Sequence, residues 1–325
     1  MVTRYLKSQD IFDPQERIKD RIFISDSEIY LASGYLYTQG ASPSEYNFQH
    51  PPLLKYLYGY SLRFLGSPVL LQLILSGLLF VLAWQLGISM GMKVKTVSWA
   101  LVMLAVDPLV AEVTSHVYLD LGLAVLGLGF VLTFIYFPKK QLISGIFLGL
   151  FLAAKFWSVS LFIFGVLSLY RFYYLKNLRF TTWLKIIGVA LLIYTSTYWN
   201  FFIRENTFGD FLWLQAKMVK FMLTHNAVAV WGGEFWLFLT GFYLSWWDKG
   251  GLMKTDIFWP VWPVAFFFLI VNFSLRKAGK KLWLPMIVVL SFFLINFRGA
   301  PFARYLIFVL PYFYLSLSAI IGRDV

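Results

Sequence analysis

Apolar positions along this chain come in long unbroken runs. They show neither the alternation of a half-buried strand nor the one-sided stripe of a surface helix. From Ser67 onward nine such runs follow one another, over residues 67–90, 96–111, 117–137, 142–154, 156–173, 184–200, 257–274, 282–297 and 305–321. A helix needs about 20 apolar residues to cross a bilayer, so the runs predict an all-α, polytopic membrane protein with about nine spans. Several runs are short, and those meeting near Asp107 and Lys155 predict tilted or broken helices. Ahead of them, residues 26–64 are semi-polar and punctuated by Gly34, Gly40, Pro43, Pro51 and Pro52. That pattern predicts a first loop carrying short helices on the membrane surface. Residues 201–255 are amphipathic. Within them, 235–247 is apolar but short, which predicts a segment that dips into the bilayer and returns.

Composition agrees with the pattern. The chain is 59% hydrophobic and 14% charged, with a mean hydropathy of +0.70, where soluble domains carry about 25% charged residues. Aromatics reach 20%, as belts of Trp and Tyr at two interfaces require. The runs lie too close together for a second, soluble domain. With no cysteine, disulfide and thiolate chemistry are excluded. A formal charge of +12 would suggest nucleic acid in a soluble protein. Here the lipid bilayer is the expected partner and nucleic acid is not, because the basic residues gather in alternate loops.

Those loops hold Lys93 and Lys95, Lys139 and Lys140, Arg171 through Lys185, then Arg276, Lys277, Lys280 and Lys281, with Arg323 in the tail. The positive-inside rule makes them cytoplasmic. The opposite face receives eleven of the sixteen acids, all three histidines (His50, His116, His225), and Lys155, Arg298 and Arg304. Acids contribute little to orientation, so their gathering is separate information and predicts a polar site facing outside or the lumen. Nine spans with an inside C-terminus put the N-terminus outside. Yet residues 1–25 carry Arg4, Lys7, Arg17, Lys19 and Arg21 and no apolar core. The expectation is a charged N-terminal segment, 1–25, from which a first span is missing, followed by one membrane domain, 26–325.

Three constellations could carry chemistry. The first is Asp26-Ser27-Glu28-Ile29-Tyr30, then His50-Pro51-Pro52-Leu53-Leu54-Lys55. The second is Asp107-Pro108 with His116 and Leu119-Asp120 at the mouth of a span, and the third is Arg304-Tyr305 followed by Pro311. Together they resemble the protein O-mannosyltransferase family and its relatives of the GT-C fold. Asp26 matches the Asp of that family's Asp-Glu loop motif, Ser27 replaces the Glu, and Tyr30 matches a following aromatic. Residues His50 to Lys55 match His-Pro-Pro-Leu-Gly-Lys except at Leu54. Leu119-Asp120 matches a Leu-Asp pair, while the Arg expected before it is absent and His116 is the nearest cation. Lys155, after Ala153-Ala154, stands where relatives often have a Lys.

The resemblance implies a glycosyltransferase acting from a polyprenyl- or dolichyl-phosphate carrier. Mannose and a protein Ser/Thr acceptor are the default. A lipid or polysaccharide acceptor, as in aminoarabinose or arabinosyl transferases of the same fold, is the alternative. The plasma membrane of a prokaryote stands ahead of the endoplasmic reticulum. Inverting transfer needs a base for the acceptor hydroxyl and a cation for the leaving phosphate. The expected catalytic carboxylates are Asp26 and Asp120. Arg304 and Lys155 are expected to hold the lipid phosphate, since Arg is bidentate and always ionised, with His50 and Tyr30 beside them. No cofactor is expected. No His-x₃-His spacing points to a metal, although scattered His and acids leave a divalent ion open. Each choice has a plainer reading: Asp26 and Asp120 as helix caps, His50 as a loop anchor, Arg304 as a lipid-headgroup anchor. A transporter would instead place ionisable residues at mid-span in repeated halves, and an inactive scaffold would explain the departures from the family pattern.

Overall fold

Helices make up 75% of the computed structural model of the chain, which describes residues 1–3, 5–6, 24–155, 157–204, 206–225, 230–244, 251–274, 283–299 and 301–322. Of the positions named above, Arg4, Lys7, Arg17, Lys19, Arg21, residue 156, the 275–282 loop with its four basic residues, and Arg323 lie outside the described residues.

The first loop folds into two closely packed helices, α1 (Asp26–Thr38) and α2 (Leu53–Leu65), whose C-terminal ends are joined by Arg63 Nη1 donating to Thr38 O. A capping box starts α1: Glu28 N–H donates to Ser25 Oγ at 3.3 Å, and Ser25 N–H donates to Glu28 Oε2 at 3.0 Å. The two helices cross where Gly34 meets Gly59, so closely that a Cβ on either would collide with the other's backbone. The short helices expected here therefore form one tightly packed pair, and only glycine permits it at that crossing.

Helix α3 (Val69–Ser89) follows, then α4 (Val94–Val106) and α5 (Pro108–Ser115). The run 96–111 is broken as its Asp-Pro implied, with the two helices bent by 61°. Pro108 cannot donate the backbone hydrogen bond that would continue α4, and Asp107 is extended and caps α5 by accepting Leu109 N–H at 2.8 Å. Its other oxygen accepts from Trp262 Nε1 at 2.8 Å and from Tyr314 Oη at 2.6 Å, so this buried carboxylate ties three parts of the bundle together.

Helix α6 (Leu119–Tyr136) is the central element and is buried on every face. An all-round apolar helix belongs inside a bundle. Around it lie α7 (Gln141–Leu152), α8 (Trp157–Leu169, ending in a π-helical turn Tyr170–Tyr174) and α9 (Phe180–Ser196). Gly145 and Gly149 let α7 approach α9 closely. By contrast α3 exposes Val69, Leu70, Leu73, Ile74, Leu78 and Val81, an apolar face suited to lipid. Among the described residues only α3 and α6 are long and apolar enough to cross a bilayer alone, and the bent α4–α5 pair could act as a third span. The remaining expected spans are shorter apolar helices.

The amphipathic stretch holds α10 (Trp199–Ile203), α11 (Phe208–His225) and α12 (Gly233–Thr240). The expected dip over 235–247 is divided instead: α12 stops at Gly241, in the left-handed conformation, and Phe242–Leu244 pairs with Leu252–Lys254 as a small antiparallel ladder. A second ladder pairs Val230–Trp231 with Arg298–Gly299. Helices α13 (Val261–Ser274), α14 (Trp283–Ile295) and α15 (Leu310–Ile321) complete the bundle. The last helix starts later than the run 305–321 predicts. Residues Ala303–Phe308 form a 3-10 turn, and the α-helix proper begins beside Pro311, in the first turn where no donor is needed.

Candidate active site

Four ionisable side chains from four distant stretches meet at one end of α6. Asp26 stands in the first turn of α1, where the capping box fixes the backbone and an acid is favoured by the exposed N–H groups. Its Oδ2 accepts from Arg304 Nη2 at 2.5 Å, across 278 residues of sequence. Arg304 Nε lies 3.5 Å from Asp120 Oδ2, in the first turn of α6. Asp120 Oδ1 in turn accepts from Lys155 Nζ at 2.7 Å, in the turn between α7 and α8. Cations and carboxylates thus alternate as Asp26, Arg304, Asp120, Lys155.

Exposure gives this series a direction. The Asp26 side chain is 39% exposed, Arg304 15%, Asp120 3% and Lys155 1%. The carboxylate that can meet an incoming group is Asp26, and the others form its floor. Aromatic rings surround the cations. The Arg304 guanidinium lies 4.8 Å from the Tyr118 ring and 4.5 Å from the Phe302 ring, and Lys155 Nζ lies 4.1 Å above Tyr305. Such contacts hold a partly desolvated cation without neutralising it. The coordination is incomplete: among the described residues Asp120 Oδ2 and Arg304 Nε are buried without a hydrogen-bond partner, since 3.5 Å is an ion pair rather than a hydrogen bond. Arg304 Nε thus has donor capacity left for an added acceptor, and Asp120 Oδ2 has acceptor capacity left for a donor.

Burial pushes the Lys155 ammonium down to about 8, with Asp120 opposing that shift and Arg304 adding to it. His50 is lowered well below its ordinary value, first by burial and then by Lys155, Lys55 and Arg304. It is therefore neutral at pH 7, and its ring meets Tyr30 edge-on at 5.9 Å. Tyr30, one helical turn beyond Asp26, is buried beneath it. A cavity of about 180 Å³ reaches Lys155 between Gln49, Trp157, Met218 and Met222.

The structure thus brings together all six residues singled out from the sequence: Asp26, Asp120, Arg304 and Lys155 in the ionic series, with Tyr30 and His50 beside it. His116, the nearest cation to the absent family Arg, does not join them. It faces outward, 3.3 Å from Glu112 and stacked on Tyr118. Asp107 is a structural cap. Lys55 turns into the loop joining α1 and α2, donating to Asn47 O at 2.6 Å and His50 O at 2.7 Å, so it anchors the loop that presents His50.

Tyr118 lies within the second constellation but carries no assigned role there, and two further participants, Phe302 and Glu234, carry no motif. Glu234 opens α12, is buried, and accepts Phe302 N–H through Oε1 at 2.7 Å. Burial, reinforced by Asp120, raises its carboxyl well above the usual range, against the pull of the Phe302 N–H, Lys155 and Arg304. Its sequence signal is one acid placed at the head of an apolar helix, after two glycines. No group of three metal-binding side chains occurs among the described residues.

No protein-family model matches the chain, and no curated protein matches it. Its structure is similar to that of ArnT from Cupriavidus metallidurans, solved as a crystal structure bound to undecaprenyl phosphate. The TM-score is 0.66 at 14% sequence identity, over 99% of this chain and 60% of that one. This chain therefore spans well under two thirds of the length of that protein. The likeness establishes the GT-C fold of an integral membrane protein.

Proposed function

We propose that this chain is a membrane glycosyltransferase that moves a sugar from a polyprenyl-phosphate carrier to a hydroxyl acceptor on the non-cytoplasmic face. The observation that carries the reading is the series Asp26–Arg304–Asp120–Lys155, open at its carboxylate end and cationic beneath. ArnT, whose fold it shares, binds a polyprenyl phosphate, which is the anion such a cationic floor would take.

In the reaction the acceptor oxygen forms a bond to C1 of the sugar as the bond from C1 to the phosphate oxygen breaks. The electron pair of that bond leaves with the phosphate, and the acceptor proton goes to Asp26. The leaving group needs no proton, only cations to hold its charge. Arg304 and Lys155 supply them. A phosphate that engages Arg304 also competes with Asp26 for the guanidinium, which frees the base only once the donor is in place. His50, neutral, and Tyr30 offer hydrogen-bonding and apolar surface to the sugar. Mannose as the sugar, Ser/Thr of a protein as acceptor, inversion at C1 and a prokaryotic plasma membrane complete the proposal.

The test is an assay of membranes with a labelled polyprenyl-phosphate mannose and a Ser/Thr peptide. Wild type is expected to consume the donor and label the peptide. Donor consumption with label only in lipid would move the acceptor from protein to lipid. Solute uptake without donor consumption would make the chain a transporter.

A further inference from the structure

Arg304 reaches the centre of the site from a segment with little regular structure of its own, the 3-10 turn Ala303–Phe308 and the residues before it. Something must fix that backbone, because a guanidinium misplaced by an ångström loses a bidentate contact. The ties converge on the start of α12. Gly232 N–H donates to Phe297 O at 2.6 Å, and Trp231 pairs with Arg298 in the small ladder. Gly233 packs its bare Cα against the Pro301 ring. Glu234 then accepts the Phe302 N–H at 2.7 Å, two residues before Arg304, and Phe302 places its ring 4.5 Å from the guanidinium.

Burying a carboxyl is costly unless its atoms are bonded. A helix start could be satisfied by solvent or by Ser or Asn, so a Glu that is 1% exposed needs another reason. Its Oε2 is buried with no hydrogen-bond partner among the described residues, and Asp120, Lys155 and Arg304 all lie close enough to act on its charge. The site therefore holds a third carboxyl behind Arg304, facing the same cations but outside the ionic series.

We infer that Glu234 is a positioning residue for Arg304, its Oε1 fixing the Phe302 backbone from which the guanidinium is aimed at the carrier phosphate. The phosphate rests on the function proposed above, and the backbone tie does not. A glutamine keeps an acceptor oxygen for the Phe302 N–H, while an alanine does not.

Two measurements on the purified full chain in nanodiscs test this. Steady-state turnover of polyprenyl-phosphate mannose should show kcat/KM for the donor falling about tenfold or more in Glu234→Ala, with KM for the acceptor peptide unchanged and Glu234→Gln within about threefold of wild type. A general structural role would lower both variants' folded yield and leave the donor KM of the folded fraction untouched. Hydrogen exchange of the peptide spanning residues 297–306 should quicken about tenfold in Glu234→Ala and stay at the wild-type rate in Glu234→Gln. Unchanged exchange in Glu234→Ala overturns the inference, whatever the turnover. If wild type consumes no donor, the glycosyltransferase reading fails by itself, and the exchange result still decides whether Glu234 holds the Arg304 segment.

Discussion

Two buried lysines, one hundred positions apart in numbering, sit in contrasting surroundings, one in the scaffold and one in the candidate site. In the α1–α2 pair, Lys55 meets neutral acceptors: Asn47 O, Asn47 Oδ1, His50 O and Tyr37 Oη, at 2.6, 3.2, 2.7 and 3.3 Å. Its charge is spread over dipoles that the loop supplies, with Asn47 in the left-handed conformation to turn its carbonyl inward. In the α7–α8 turn, Lys155 meets a carboxylate, Asp120, and an aromatic face, Tyr305. Burial lowers the pKa of both ammonium groups. What differs is the surroundings. The first lysine closes a loop with its donors well used. The second belongs to an ionic series in which neighbouring atoms, Asp120 Oδ2 and Arg304 Nε, have no hydrogen-bond partner among the described residues. Saturated charge stabilises a fold, and unsaturated charge is what a substrate can complete.

The sharpest break in that comparison is at the open end of the candidate site. Asp26→Asn removes the proposed base and keeps the helix start, so turnover of a labelled polyprenyl-phosphate sugar should fall by about 10²- to 10⁴-fold with the melting temperature unchanged. Turnover equal to wild type would remove Asp26 from the chemistry. Next comes the scaffold lysine. Lys55→Met strands several buried acceptors, and the relief of no longer burying a charge offsets only part of that loss. Stability should drop by about 3 kcal/mol, read as a lower melting temperature in detergent, while activity per folded molecule stays near wild type.

Lys155→Met should do the reverse. Asp120 keeps Arg304 as a counter-charge, so folded protein is recovered, and kcat/KM for the donor should fall about 10- to 100-fold. A milder probe of the same lysine is pH. Its folded value lies below the ordinary one, at about 8, so its charge is present below that pH and lost above it. Donor kcat/KM, which reports the free enzyme, should therefore decline as pH rises through about 8. In Lys155→Arg that alkaline limb should vanish, and its persistence would assign the limb to another group. The smallest effect is expected at Asp107, a second scaffold charge. Asn caps helices as well as Asp, but its amide NH2 would face the buried Trp262 Nε1–H that Asp107 Oδ2 now accepts, so Asp107→Asn should cost about 2 kcal/mol of stability and leave turnover unchanged.

Much of this was legible in the chain. The apolar runs anticipated the helices, the Asp107-Pro108 pair anticipated the bend, and the Gly- and Pro-rich first loop anticipated surface helices. The candidate residues were legible for a different reason: isolated charges in an apolar chain are expensive, so each one marks a place where something compensates it. What could not be read was which compensation. Lys55 and Lys155 look alike in sequence, as do Asp107 and Asp120, because saturation by neutral dipoles depends on where a loop's carbonyls point. Phe302 and Tyr118 are two among many aromatics until the fold sets them against Arg304. Within the apolar stretch 235–247, the break at Gly241, where a left-handed turn ends the helix, is a backbone choice hydropathy does not report.

By itself, then, the sequence determined that this is an α-helical membrane protein in which charges are scarce and each isolated one has to be compensated, since patterning and desolvation cost act on each segment locally. Only the tertiary structure decided that Asp26, Arg304, Asp120 and Lys155 form one series, that Lys55 and Asp107 stand outside it, and that Glu234 lies behind it. Those facts depend on distances between residues up to 278 positions apart, and no local rule acts over that separation.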